Sequence, residues 1–305
     1  MKIEKYLPAI KKKVPLAKYT TFKIGGPARY FYIAKNKDDL IKGIKAAKKF
    51  NLPFFVLGRG SNVLFSDEGF NGLVIKIKSS MMKTNNSEIF AEAGLRLDDL
   101  VKISAEKSLK GIEWAAGIPG TVGGAIYGNV QAFGKKISDI VKQVEVLDAK
   151  TLNIKNLTKK QCLFSDKKSI FKKKRNLIIL SAILKLKKGD KKKIKKKIKD
   201  NLALRKKRHP LKFPSAGSIF INQPGFPPSA FLIERAGLKG TRIGGAKISE
   251  KHAGFIINLG KAKAKDVKSL IKLIKEKIKK KFGVVLKEEI QIIGVDKLSR
   301  NEKIK

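Results

Sequence analysis

Short apolar runs separated by glycine turns limit this chain to small sheets and helices packed in layers. Phe54-Phe55-Val56-Leu57 reads as a buried strand that stops at Gly58-Arg59-Gly60-Ser61-Asn62. Strand-like runs follow at 73–77 and 89–93. Alternation in 141–147 (VKQVEVL) and the run 177–186 (LIILSAILKL) predict two more strands, and 290–293 a last one. Leu40, Ile41, Ile44 and Ala47 at helical spacing predict a helix over 37–50 with Asn36 as its N-cap. Residues 97–105 read as helical. Ile194, Ile198 and Leu202 give 191–208 a thin apolar stripe on a very basic helix. Val267, Leu270, Ile271, Ile274 and Ile278 mark a strongly amphipathic one. Four of the ten prolines fall within 213–229, so a loop-rich region is expected there. Strands and helices mix without strict βαβ alternation, which favours an α+β fold.

With 305 residues the chain can hold two or three compact units. No run of 18 apolar residues occurs, so no membrane span or insertion is expected. The start, MKIEKYLPAIKKK, lacks the apolar core and small-residue site of a signal peptide. One cysteine, Cys162, excludes an internal disulfide framework and fits a cytoplasmic protein. With only His209 and His252 beside it, a metal site is not expected. The formal charge of +45 raises the question of nucleic acid. Nine arginines stand against 61 lysines, and the lysines run along the whole chain. Base readout and bidentate phosphate clamps favour arginine. The excess therefore reads as lysine bias, with no stable nucleic-acid partner, though its field attracts anionic ligands.

Two glycine turns carry the first chemical signal. Glycines after a strand expose backbone N–H groups that can cradle a pyrophosphate. GRGSNV has Val63 where the dinucleotide fingerprint needs a third glycine, and Gly117-Ile118-Pro119-Gly120-Thr121-Val122-Gly123-Gly124 has no P-loop ending. Taken alone, each is better explained by a tight turn.

The wording of the turns, with five further segments, resembles one family. Thr20 to Ala28 (TTFKIGGPA) resembles the opening motif of the UDP-N-acetylenolpyruvoylglucosamine reductases. Leu57 to Asn62 resembles their first flavin-binding turn, and Gly117 to Ala125, followed by Asn129, their second. Ser215-Ala216-Gly217-Ser218 with Phe220 and Asn222 resembles their catalytic serine segment. Gly237-Leu238-Lys239-Gly240 and Gly244 to Phe255 (GGAKISEKHAGF) resemble their third-domain motifs. Leu286 to Gly294 (LKEEIQIIG) resembles their closing segment with its catalytic glutamate.

The resemblance implies an α+β, FAD-binding fold of the vanillyl-alcohol-oxidase/PCMH type with a C-terminal substrate-binding domain, in the shorter form without a capping insertion. Its expected segments are 1–78 and 79–200 for FAD and 201–305 for substrate, in a monomer. It implies FAD and NADPH as cofactors and a UDP-sugar substrate, the enolpyruvyl ether of UDP-N-acetylglucosamine, reduced to UDP-N-acetylmuramate for peptidoglycan. By motif position, Gly58, Arg59, Gly60, Ser61, Asn62, Gly117, Ile118, Pro119, Gly120, Thr121, Gly123, Gly124 and Asn129 would hold FAD. Ser218 would donate a proton, Glu289 would support it, and Asn222, Lys251 and His252 would meet substrate. His252 in a loop hydrogen bond is the equal alternative. Trp114 reads as core and Cys162 as a small buried apolar residue.

The chain departs from the family at two places. The family's Tyr-Arg before a serine reads Asp166-Lys167 here, with Ser169 fixing the register, so Lys167 would replace the arginine at the substrate carboxylate. Lysine keeps the charge and loses the planar fork. The family's Lys-Asn-Pro reads Ile221-Asn222-Gln223. A different flavoenzyme of the same fold, or a basic relative without catalysis, are the rival readings.

Overall fold

The computed structural model describes residues 2–294; Met1 and residues 295–305, the outer ends of the expected first and third segments, lie outside the described residues. The chain divides into two compact units that interleave in sequence. One comprises the residues up to Ile10, Tyr32–Arg59 and Val74–Arg205. The other comprises Lys11–Phe31, Gly60–Leu73 and the described residues from Lys206 onward. The segments expected from sequence run linearly. The observed units exchange chain, and the strands Pro27–Ala34 and Phe70–Ile77 each begin in the second unit and end in the first.

The first unit is built on a five-stranded antiparallel sheet in the order Ile154–Thr158, Val141–Asp148, Leu177–Lys185, Glu88–Glu92, Met82–Asn85. The middle strand pairs Ala182 with Val144 on one side and Ala91 on the other. All three are buried. The helix Lys37–Lys49 buries Leu40, Ile44 and Ala47, and Asn36 Oδ1 accepts the Asp39 N–H at 2.8 Å, as the sequence predicts. Leu97–Glu106 is also helical.

The basic helix Lys191–Arg208 corrects one expectation. Its covered stripe is Ile194, Ile198, Asn201 and Arg205, and Leu202 is exposed. The helical period is kept, but Asn201 and Arg205 take buried positions because backbone carbonyls there accept their hydrogen bonds.

The second unit has a four-stranded antiparallel sheet in the order Ser215–Ser218, Phe255–Asn258, Ala246–Ile248, Arg242–Ile243. The helix Ala264–Phe282 buries the five apolar residues that marked it in the sequence. They join Phe22, Ile24 and Leu64 in one core, so three separate stretches of chain close around it. Each large side chain buried there stabilises the unit by about 1.5–3 kcal/mol. The helix starts against Asp67, whose carboxylate accepts the N–H groups of Ala264 at 2.7 Å and Lys265 at 3.0 Å. Gln291–Ile293 pairs in parallel with Val63–Phe65. The proline-rich stretch is mostly loop, yet Ser215–Ser218 within it forms a strand.

Candidate active site

The first glycine turn is divided: Gly58 and Arg59 belong to the first unit, Gly60, Ser61 and Asn62 to the second. Within the first unit the two glycine turns adjoin. A Cβ on Gly58 would lie 2.8 Å from Thr121 Oγ1, so a larger residue there would displace the Thr121 hydroxyl. Lys76 Nζ donates to the Gly58 carbonyl oxygen. Burial, and then the charges of Lys78 and Arg59, push the Lys76 ammonium down to about 8. The Arg59 guanidinium reaches Asp98 Oδ2 at 3.1 Å, which Arg96 shares at 3.4 Å. The backbone N–H groups of Arg59, Gly60 and Ser61 have no acceptor among the described residues.

The second turn ends in a helix, Val122–Gly128, that the sequence did not announce. Thr121 caps it by accepting the Gly124 N–H at 3.3 Å. The glycines of this turn have different tasks. Gly123 is buried, donates its N–H to the Ala93 carbonyl at 2.9 Å, and would place a Cβ 2.7 Å from Ala93 Cβ. Its smallness therefore serves close packing on the sheet. Gly124 is exposed, as is Pro119, and Ile118 is half-buried. Gly120 accepts from Leu97 N at 3.1 Å.

Gly117 has φ +72°, and a Cβ there would meet Leu202 Cδ2 at 2.9 Å and Arg205 Cδ at 3.2 Å. Arg205, only 8% exposed, donates from Nε to Ala116 O at 2.8 Å and from Nη2 to Trp114 O at 3.3 Å. Asn201, one turn earlier, donates to Glu113 O at 2.9 Å. Burial lowers the Arg205 pKa, and Asp98 opposes that shift. The basic helix thus clamps the segment leading into the second turn. Nothing in the sequence distinguished these two residues from the surrounding lysines.

Trp114 is core, its Nε1 bonded to Gly111 O at 3.1 Å. Asn129 is buried with φ 44°, a left-handed conformation that asparagine tolerates. Its amide donates to Ser165 O at 2.8 Å and accepts from Ser138 N at 3.3 Å. It thereby ties the second turn to the segment of Lys167. Cys162 is buried, and burial pushes its thiol up to about 11.

Lys167 sits at φ 53° in a tight turn whose ends, Ser165 and Lys168, exchange two hydrogen bonds of 3.1 Å. Asp166 accepts from Gln131 Nε2 at 2.8 Å. Ser169 is buried and donates to Tyr127 O at 2.7 Å, which anchors the turn. Arg175, a nearby arginine that could compensate for the family arginine replaced by Lys167, is exposed.

In the second unit four motif segments meet. Thr21 Oγ1 donates to Ser215 O at 2.7 Å, and Thr21 N to Gly60 O at 3.1 Å. Ser218 ends its strand opposite Phe255, after a bulge in which Gly217 takes φ +77°. The next residue, Ile219, accepts the Glu289 N–H at 2.7 Å. Asn62 Nδ2 donates to Glu289 O at 3.1 Å, and Asn62 O accepts from Gln291 N at 3.0 Å. Ser218 and Glu289, 71 positions apart, therefore lie on adjacent backbone segments.

Asn222 Oδ1 accepts from Ser229 N and Oγ, at 3.0 and 3.1 Å, starting the helix Ser229–Arg235. Lys251 Nζ donates to Lys206 O at 2.7 Å. The His252 ring packs against His209 and Phe255, with centroids 5.5 and 4.9 Å away, and its Nδ1 accepts the Gly254 N–H. The loop hydrogen bond expected as its alternative role is thus made. Burial lowers its pKa first, with Lys239 adding to that. Among the described residues no cluster of metal-ligating side chains occurs, and no helix is long and apolar enough to cross a membrane.

The family described as the C-terminal domain of UDP-N-acetylenolpyruvoylglucosamine reductase matches residues 209–293, and that described as an FAD binding domain matches 28–152. A UDP-N-acetylenolpyruvoylglucosamine reductase of Caldanaerobacter subterraneus subsp. tengcongensis is 44% identical over 281 residues, 92% of each chain. That of Caldicellulosiruptor bescii is 45% identical over 286 residues, covering 92% of this chain and 89% of the relative. The crystal structure of the Thermus caldophilus reductase superimposes with a TM-score of 0.79 at 32% identity, covering 93% of this chain and 99% of that one.

Proposed function

The chain belongs to the UDP-N-acetylenolpyruvoylglucosamine reductase family, and from that premise we propose which of its residues carry the family's reaction. The fold is α+β, of the FAD-binding PCMH type with a C-terminal domain. The activity is FAD-dependent reduction of the enolpyruvyl ether of UDP-N-acetylglucosamine to UDP-N-acetylmuramate. NADPH as reductant, a monomeric state and a cytoplasmic location complete the reading.

The residues present fit an FAD pyrophosphate. Three consecutive N–H groups, Arg59 to Ser61, are unspent, and Lys76 and Arg59 add positive charge beside Gly58. Gly58 to Asn62 and Gly117 to Gly124 are proposed to hold the cofactor, with Asn129 supporting the second turn from behind. Bound FAD would supply two-electron transfer between NADPH and the substrate's double bond.

The chain's own side chains then have two tasks. Hydride addition to the terminal carbon of the enolpyruvyl group drives charge into its carboxylate end, which becomes enolate-like. A fixed cation lowers that barrier, and Lys167 is proposed for it. The neighbouring carbon needs a proton, and the Ser218 hydroxyl is proposed to deliver it. Glu289, whose backbone segment adjoins that of Ser218, is proposed to support the return of a proton to the resulting alkoxide. Asn222, through the amide nitrogen left after Ser229 takes its oxygen, and Lys251 and His252 are proposed substrate contacts.

The observation that carries the roles of Ser218 and Glu289 is the meeting of Thr21, Asn62, Ser215–Ser218 and Glu289 within one unit. The test is anaerobic. NADPH should bleach the flavin of the purified protein, and the enolpyruvyl UDP-sugar should restore its colour. In Ser218→Ala the first step should be intact and the second about 100-fold slower, the scale of a lost acid catalyst. Equal slowing of both steps would make Ser218 structural.

A further inference from the structure

Lys76 belongs to none of the glycine motifs. It lies on the strand Phe70–Ile77, which neighbours Phe54–Leu57 in the sheet, and its ammonium reaches the carbonyl that closes the latter strand, that of Gly58. The side chain is half-buried. No carboxylate pairs with it among the described residues, and the charges bearing on it are those of Lys78 and Arg59. The carboxylate partner of Arg59, Asp98, is shared with Arg96. A half-buried lysine that feels two other cations and has no counter-ion is costly to keep charged, and a nearby anion would offset that cost.

The peptide geometry gives that anion a place. In a trans peptide the carbonyl and the following N–H point to opposite sides of one plane, and no cis peptide occurs among the described residues. A cation on the Gly58 carbonyl therefore fixes the direction of the Arg59 N–H. It also polarises the peptide and strengthens that N–H as a donor. The Arg59 N–H has no acceptor of its own among the described residues. We infer that Lys76 is a positioning residue for the dinucleotide cofactor. Its ammonium sets the Gly58–Arg59 peptide so that the Arg59 N–H faces the pyrophosphate, and it adds a partly desolvated charge beneath that anion. This rests on the FAD reading above.

The consequence is a proton-linked affinity. The cofactor-free protein loses the Lys76 proton as pH rises through about 8. A bound pyrophosphate holds the proton to higher pH, so binding takes up a proton above that point. FAD affinity should be level below pH 7.5 and weaken above 8, by up to about tenfold per pH unit. An unperturbed lysine titrates near 10.4 and histidine near 6.5, so the window from 7.5 to 9.5 isolates this group.

The experiment is FAD binding to the flavin-stripped protein, followed by quenching of flavin fluorescence from pH 6.5 to 9.5. The wild type should lose about tenfold in affinity across pH 8 to 9.5. Lys76→Met should bind roughly tenfold more weakly at pH 7, with no slope. Lys76→Arg, whose charge does not titrate here, should bind tightly with no slope and guards against a folding defect in Lys76→Met. A level wild-type profile, or a slope that persists in Lys76→Met, overturns the inference while leaving the FAD reading intact. Failure of the wild type to bind FAD at any pH overturns both.

Discussion

Lys167 adopts φ 53°, where a side chain costs roughly 1 kcal/mol relative to glycine. The turn is held from outside by the buried Ser169 on Tyr127 and by Asp166 on Gln131. Those contacts suit a residue that must present a charge at a fixed place. The Asp166 carboxylate has a partner in Gln131. The backbone offers a clean test. Lys167→Gly removes the ammonium and relieves the φ strain, so the turn should not weaken. Its flavin should still be reduced normally by NADPH, while reoxidation by substrate should fall on the order of 10²-fold, the scale of a lost electrostatic stabiliser. Lys167→Arg should retain activity. Wild-type reoxidation in Lys167→Gly would remove Lys167 from the site and make Arg175 the next candidate.

At the scale of elements, the clamp made by the helix Lys191–Arg208 would join stability to the cofactor binding proposed for the second turn. Asn201 and Arg205 hold the carbonyls of Glu113, Trp114 and Ala116, immediately before Gly117. Arg205→Met fills the space but leaves two carbonyls without their donor, at about 1–3 kcal/mol. The variant should melt several degrees lower and lose FAD on gel filtration more readily than the wild type. If it melts lower yet holds FAD with unchanged affinity, the clamp serves the fold alone.

This clamp also shows what the sequence left hidden. Helix Lys37–Lys49 and the strand Leu177–Lys185 were legible because their apolar spacing matches their burial. Val122–Gly128 was not, because glycine is a poor helix former and three of its seven residues are glycine. Ser215–Ser218 was masked by nearby prolines and its bulge at Gly217. Lys76 and Arg205 were unreadable for a common reason. Their roles depend on backbone carbonyls brought near by tertiary contact, and no residue pattern encodes a carbonyl. The motif residues Ser218 and Glu289 could be named from the sequence, but not the backbone pairing that sets them side by side.

Over the whole molecule the charge of +45 is the feature that site chemistry does not absorb. The exposed lysines of Lys191–Arg208 surround a buried stripe rather than forming a shaped groove, and arginine is scarce throughout. Such a surface attracts polyanions through counterion release alone. It would also speed encounters with FAD, the UDP-sugar and the proposed reductant NADPH, all anionic. Duplex DNA should therefore bind measurably at about 50 mM salt and weaken by about 10³-fold or more by 200 mM, independently of sequence. The association rate of FAD with the flavin-stripped protein should fall over the same range, since exposed charges are screened beyond about 10 Å at 0.1 M. Its dissociation rate should change little, because the contacts proposed for Gly58 and Arg59 would be close and partly screened from solvent. Stopped-flow binding at several salt concentrations separates the two rates. If FAD dissociation carries the salt dependence, surface charge is not steering. Salt-resistant, sequence-selective DNA binding would mean that the lysines form a nucleic-acid site in their own right.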